Sequence, residues 1–155
     1  MELILWRHAE AFDAEPGALD MERALTPKGH KQARRVGDWL APLLPDDCRI
    51  LVSPARRTIE TAEALGRDYE IAEALAPGSD EEDVLDAAGW PNASAPVLVV
   101  GHQPTLGQVA AVLMSGQPQD WHIKKGNLWW LVQRDAQDPY SLYLKAVISP
   151  ELIGK

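Results

Sequence analysis

Leu3-Ile4-Leu5-Trp6-Arg7-His8-Ala9-Glu10 begins as a buried strand and ends in a cation beside an imidazole. Consecutive large apolar residues read as a strand covered on both faces. A core has no use for Arg7-His8 at the mouth of that strand, because an unpaired buried charge is costly. Two later stretches repeat the design. Ile50-Leu51-Val52-Ser53-Pro54 runs on to Arg57, and Val97-Leu98-Val99-Val100-Gly101 runs into His102. Three hydrophobic strands each hand over to a basic group.

The bulk composition narrows what those groups serve. A chain of 155 residues fits one domain, 1–155, with a sizeable core and no long linker on which to divide. Its 46% hydrophobic and 25% charged content is that of a soluble globule. No apolar run approaches the roughly 20 residues of a membrane span, and the first residues lack a basic, cleavable leader. The single cysteine, Cys48, leaves no internal disulfide and fits a cytoplasmic location. Flanked by Asp47 and Arg49 at a strand entrance, it reads as a small packing residue rather than a nucleophile. A net charge of −8 argues against a nucleic-acid partner, which wants a basic face. An acidic chain with arginines at a few special points remains suited to binding one small anion.

Between the three strands the pattern is helical. Thr26-Pro27 is an N-cap with proline at the first helical position, and Ala33, Val36 and Leu40 keep helical spacing, predicting a helix over 27–41 that Pro42 and Pro45 end. Gly29 and Gly37 inside it point to close packing. Strand two is expected at 49–53, then a helix at 55–65 stopped by Gly66, and a short strand around Tyr69-Glu70-Ile71. Ser79 and Glu82 have capping-box spacing ahead of an acidic helix that Gly89-Trp90-Pro91-Asn92 ends. Pro96 to Val100 is a central strand, and Leu106, Val109, Ala110 and Leu113 mark a helix running from Pro104 to Gly116. Asn127–Gln133 and Tyr140–Ile148 read as two strands joined by a turn. Only the stretch from Phe12 to Glu22 lacks a period, and long loops after strands often carry site residues. The expected fold class is α/β: three α/β/α layers around a largely parallel sheet, with an antiparallel strand pair near the C-terminus.

Open parallel sheets bind ligands at the carboxyl ends of their strands. Arg7, His8, Arg57 and His102 should therefore face one crevice. Guanidinium forks suit phosphate oxygens, and imidazoles add donors and a possible nucleophile. Carboxylate or cysteine clusters with metal-ligand spacing and glycine-rich nucleotide loops are missing. The crevice is expected to hold an oxyanion with neither metal nor cofactor.

These residues also carry a resemblance. Arg7-His8-Ala9-Glu10, Leu25-Thr26-x-x-Gly29-x-x-Gln32-Ala33, Ser53-Pro54-x-x-Arg57-Thr58-x-x-Thr61-Ala62 and Gly101-His102 resemble the histidine phosphatase superfamily, or phosphoglycerate mutase-like proteins, in that order along the chain. The short chain, and Leu75-x-Pro77-Gly78 before an acidic helix, look most like its bacterial phosphohistidine phosphatase (SixA-type) branch. The resemblance implies that His8 takes the phosphoryl group, that Arg7, Arg57 and His102 surround it, and that water then releases phosphate. It implies a phosphorylated protein or a small phosphorylated molecule as partner, with no cofactor.

Other candidates are weighed beside these. Arg57 rather than Arg56 has the family spacing from Ser53. Arg23 either reaches the substrate or forms a surface ion pair. Glu10 either binds substrate, donates a proton or simply starts the loop. His30 and His122 read as exposed, Asp80 to Asp83 as a favourable helix start, and at least one of Trp129-Trp130 as core. Relatives that cleave phosphomonoesters use a carboxylic acid to protonate the leaving oxygen. The aligned position here is Ala74, with Glu73 beside it and Glu10 or Asp80 as other candidates. General acid catalysis is worth about 10²–10⁴ in rate, whereas a phosphohistidine leaving group departs readily, its conjugate acid having a pKa of about 6.5. A phosphohistidine substrate is therefore expected. A small-molecule phosphomonoesterase and a non-catalytic phosphate-binding module are the alternatives, and a mutase is disfavoured because water would reach the intermediate in an open pocket.

Overall fold

In the computed structural model, which describes residues 1–154, the apolar stretches become a six-stranded sheet. The strands are β1 (Glu2–Arg7), β2 (Arg49–Val52), β3 (Glu70–Ile71), β4 (Val97–Gly101), β5 (Leu128–Gln133) and β6 (Leu142–Ile148). Four helices alternate with them: α1 (Pro27–Leu40), α2 (Arg56–Glu63), α3 (Glu81–Ala88) and α4 (Thr105–Ser115). The spatial order is β3-β2-β4-β1-β5-β6. Strands β3, β2, β4 and β1 run parallel, while β5 is antiparallel to both β1 and β6.

Alternate side chains of the buried strands supply the two outer layers. Ile4, Trp6, Ile50, Val52, Leu98 and Val100 pack with Val36 and Leu40 of α1 and Ala62 of α2. Leu3, Leu5, Leu51, Val97 and Val99 face the other way, onto Val84 of α3 and Leu106 and Val109 of α4. The paired tryptophans divide between these layers: Trp130 joins the first cluster and Trp129 packs against the second.

Several local readings move by a residue or more. The capping box lies at Asp80 and Asp83, not Ser79 and Glu82: Asp80 accepts from the Asp83 N–H and Asp83 from the Asp80 N–H. Ser79 is held otherwise, its carbonyl accepting from the Thr105 hydroxyl at 2.6 Å. The last strand starts at Leu142 instead of Tyr140, because Pro139–Ser141 forms a one-turn 3-10 helix capped by Asp138. Both helical glycines mark close approaches. A Cβ on Gly29 would overlap the Glu10 carbonyl, and one on Gly37 would lie 2.8 Å from the Ala64 carbonyl. The loop after β1 is pinned by an Ala11–Leu25 bridge and contains a single 3-10 turn, Asp20–Glu22.

The registers level the strand ends. Arg7 pairs with Gly101 across β1 and β4, and Val52 pairs with Val100 across β2 and β4. The residues that follow, His8, Ser53 and His102, therefore emerge side by side from three adjacent strands. No helix among the described residues is long and apolar enough to cross a membrane.

Candidate active site

His8 leaves β1 with its N–H still held by the Gly101 carbonyl at 3.1 Å, so the backbone fixes where the ring stands. Its Nδ1 lies 2.7 Å from the Ala9 carbonyl oxygen. A carbonyl only accepts, so Nδ1 carries the proton and Nε2 keeps its lone pair. Ala9 is itself anchored, its N–H donating to the Thr61 hydroxyl at 3.0 Å, and that hydroxyl donates to the Arg57 carbonyl at 2.7 Å. The Thr61 position thus couples the β1 terminus to α2.

His102 faces His8 with ring centroids 5.4 Å apart. Its Nε2 is 2.7 Å from the Ser53 hydroxyl, which also accepts from the Ala55 N–H at 3.3 Å. Ser53 is wholly buried, and its O–H has no other acceptor among the described residues, so it donates to Nε2. The remaining proton of the neutral ring then sits on Nδ1, which is buried without a partner.

The same condition marks both arginines. Arg7 donates from Nη1 to the Ile123 carbonyl at 2.9 Å, while its Nε is buried and unpartnered. Arg57 is 4% exposed, and its Nε is likewise without a partner. Three buried N–H donors in one cluster are a costly arrangement for a core and a natural one for an oxyanion cradle.

Electrostatics keep the nucleophilic lone pair free. Burial, opposed by the Ala9 hydrogen bond and reinforced by Arg57, Arg7 and Arg23, pushes the His8 pKa down to about 4. Burial, then Arg57 and His8, push His102 to about 3, with Asp20 pulling the other way. Burial, with Arg57 second, also lowers Arg7 from its ordinary value.

The structure brings Arg7, His8, Arg57 and His102 together, with Arg23 near enough to act on the His8 charge. Arg56 points to solvent and pairs with Glu60 at 3.3 Å. Arg23 donates from Nε to the Phe12 carbonyl at 2.7 Å and from Nη1 to Asp20 at 3.2 Å. Glu10 is engaged elsewhere: its carboxylate accepts from the Thr26 hydroxyl at 2.7 Å, bracing the start of α1, and its N–H donates to Gln32. Glu73 is exposed on a 3-10 turn, and Asp80 caps α3. His30 and His122 are exposed. Cys48 is half-buried, and burial raises its thiol pKa. No group of three or more His, Cys, Asp or Glu side chains among the described residues could hold a metal ion.

Two residues at the site escaped the sequence reading. Ser53 was visible only as a motif position, without its role toward His102. Asp20 lies in the aperiodic loop, yet its side chain contacts Arg57 at 3.1 Å. The short spacing Asp20-x-x-Arg23, one residue ahead of Leu25-Thr26, is the one signal that could have found it.

Comparison with known proteins shows the family and the fold. The sequence profile of the Histidine phosphatase superfamily (branch 1) matches residues 3–95. Phosphohistidine phosphatase SixA of Escherichia coli is 31% identical over 125 residues, 76% of each chain. A structure from Nakamurella multipartitia, assigned as a phosphohistidine phosphatase SixA, superposes with a TM-score of 0.80 at 29% identity, covering 96% of this chain and 95% of that one. The protein histidine phosphatase SixA complexed with tungstate shares the fold, with a TM-score of 0.74 at 24% identity over 98% and 99% of the two chains. The chain with the paired histidines and the unpartnered guanidinium donors is a phosphatase of the histidine phosphatase superfamily, similar to SixA.

Proposed function

We propose that this phosphatase hydrolyses phosphohistidine on a protein, through a phosphohistidine enzyme intermediate and without a metal. The observation that carries the reading is the set of unpartnered buried donors, Arg7 Nε, Arg57 Nε and His102 Nδ1, beside an imidazole whose Nε2 is free. Oxygens of a phosphoryl group take those donors, and the guanidiniums replace the charge that a metal would supply. His8 Nε2 attacks phosphorus, its P–N bond forming as the bond to the leaving nitrogen breaks. Water then attacks the phosphorus of phospho-His8, the P–N bond breaks, and orthophosphate leaves. Arg23 extends the positive rim toward the substrate.

The preference for a phosphoramidate follows from where the carboxylates are. Glu10 is held by Thr26, Asp80 by its own helix cap, and Glu73 stands exposed. Asp20 is held ionised: burial alone would raise its pKa, but hydrogen bonds and charge from Arg23 and Arg57 bring it below the ordinary value. An ionised carboxylate is a poor proton donor. An imidazole leaving group, with a conjugate-acid pKa of about 6.5, needs little help, whereas an alkoxide loses the roughly 10²–10⁴ that an acid supplies.

Turnover of a phosphohistidine peptide and of a sugar phosphate, with and without EDTA, tests this alongside trapping of an acid-labile phosphoenzyme. The peptide should be strongly preferred, EDTA should change nothing, and His8→Ala should abolish the trapped species. A preference for the sugar phosphate would sink the substrate assignment. A phosphoenzyme that persists in His8→Ala would sink the mechanism.

A further inference from the structure

Arg57 is the guanidinium most deeply buried at the site, and the loop after β1 reaches across to hold it. Its Nη1 donates to the Asp20 carbonyl at 2.9 Å and its Nη2 to Asp20 Oδ2 at 3.1 Å. The other carboxylate oxygen, Oδ1, accepts from Arg23 Nη1 at 3.2 Å. A guanidinium is a planar fork with a terminal edge, formed by the two Nη groups, and a lateral edge that includes Nε. Asp20 occupies the terminal edge. The lateral edge keeps its buried, unpartnered Nε–H.

We propose that Asp20 is a positioning residue of the phosphate site, holding Arg57 by its terminal nitrogens so that the lateral Nε–H edge is presented to the phosphoryl group. This rests on the function proposed above and deepens it. One carboxylate bridges Arg57 and Arg23, so it sets the spacing of two cations that would otherwise repel each other. It comes from a 3-10 turn in a loop pinned at both ends, by the Ala11–Leu25 bridge and by the Phe12 N–H on the Ala24 carbonyl at 2.9 Å. The Asp20 backbone carbonyl shares the work, which suits a fixed strut better than a carboxylate that steps aside.

The rival arrangement is a plug, in which the carboxylate stands where phosphate binds and must be displaced. The two differ in sign. Removing a plug strengthens anion binding, and so does simple deletion of a negative charge beside the site. Removing a strut weakens it.

The test measures orthophosphate binding by phosphorus NMR, which needs no turnover, together with orthovanadate inhibition and kcat/KM. It compares the wild-type chain, Asp20→Ala, Asp20→Asn and, as control, Glu22→Gln on the same turn. Both Asp20 variants should weaken orthophosphate binding and lower kcat/KM by about ten- to hundredfold, the range for a lost charge-assisted hydrogen bond. The loss should appear in KM as well as kcat, Tm should fall while the variants stay folded at the assay temperature, and Glu22→Gln should behave as wild type. If Asp20→Ala fails to fold, the nearly isosteric Asp20→Asn carries the comparison alone. Unchanged or tighter orthophosphate binding in the folded variants overturns the proposal. A wild-type chain that binds orthophosphate but forms no phosphoenzyme overturns the mechanism above and leaves the strut standing. One that binds no orthophosphate overturns both.

Discussion

Ser53→Ala removes one hydroxyl and probes the whole tautomer chain at the site. In the wild type the Ser53 O–H donates to His102 Nε2 at 2.7 Å, which places the ring proton on Nδ1, the unpartnered atom proposed above to donate to a phosphoryl oxygen. Without the hydroxyl, Nε2 is a buried acceptor with no donor, a loss of about 1–3 kcal/mol. The ring can recover part of this by moving its proton to Nε2, but Nδ1 then offers a lone pair to an anion. Either route weakens transition-state binding, and about 1.4 kcal/mol per tenfold gives a fall of about 5- to 150-fold in kcat/KM. Steady-state kinetics on a phosphohistidine peptide measures the fall, and nitrogen-15 chemical shifts of the ring report the tautomer directly. The wild-type ring should be protonated at Nδ1, and the variant should show a mixture or the opposite form. A wild-type ring protonated at Nε2, or a variant within about twofold of wild-type kcat/KM, would refute the reasoning.

Further predictions concern protons and packing. Because His8 is held near 4, kcat/KM should stay independent of His8 ionisation down to about pH 4, rather than falling below the 6.5 of a free imidazole. A bound phosphoryl anion favours imidazolium, so the acid limb of kcat should lie at higher pH than that of kcat/KM; coincident limbs would remove the electrostatic account. Both imidazoles are depressed, so the unfolded chain binds more protons and stability rises with pH. Their contribution should be complete above pH 6.5 and drain as pH falls toward about 4 for His8 and about 3 for His102. For His8 alone this is about 3 kcal/mol at 1.36 kcal/mol per pH unit, and urea unfolding at pH 7 and pH 5 measures its onset. Gly29→Ala places a methyl against the Glu10 carbonyl, a backbone atom that cannot step aside, and should cost about 1–3 kcal/mol or more in thermal unfolding.

The sequence made the strands legible because burial on both faces leaves runs such as Val97–Val100, and the ends of such runs fall at the crevice. Gly29 was legible as a tight approach, since a glycine in a first helical turn is otherwise a liability. Partners were not legible. Nothing in the order of residues says that the Ala9 carbonyl, rather than a side chain, orients His8 Nδ1. The same holds for Ser53, which lies 49 positions from the histidine it bonds. The cap of α3 is Asp80 rather than Ser79, the Asp80 carboxylate accepting from the Asp83 N–H at 2.9 Å, a choice between two adjacent good capping residues that spacing alone does not make. Asp20 was hidden because a loop has no period to read; its role exists only once α2 brings Arg57 to it.

These partners explain how an acidic chain builds a site for an anion. The net charge is −8, yet Asp20 is the carboxylate that the described ion pairs place on the Arg57 and Arg23 guanidiniums. Field at the crevice is set by groups within a few ångströms, not by the sum over the surface, which solvent screens. Arg7, Arg57 and the neutral His102 ring therefore present donors without an internal counter-ion at their free edges, and the neutral His8 ring presents a lone pair. Leaving those edges unpartnered destabilises the free fold, and the surrounding contacts offset that: the Ile123 carbonyl on Arg7, Asp20 on Arg57, Ser53 on His102 and Ala9 on His8. Each of these partners takes one side of its group and leaves the other side for the ligand. In the proposed mechanism a phosphoryl group completes the set of hydrogen bonds that the folded chain begins, around the one imidazole nitrogen, Nε2 of His8, that the backbone leaves with a free lone pair.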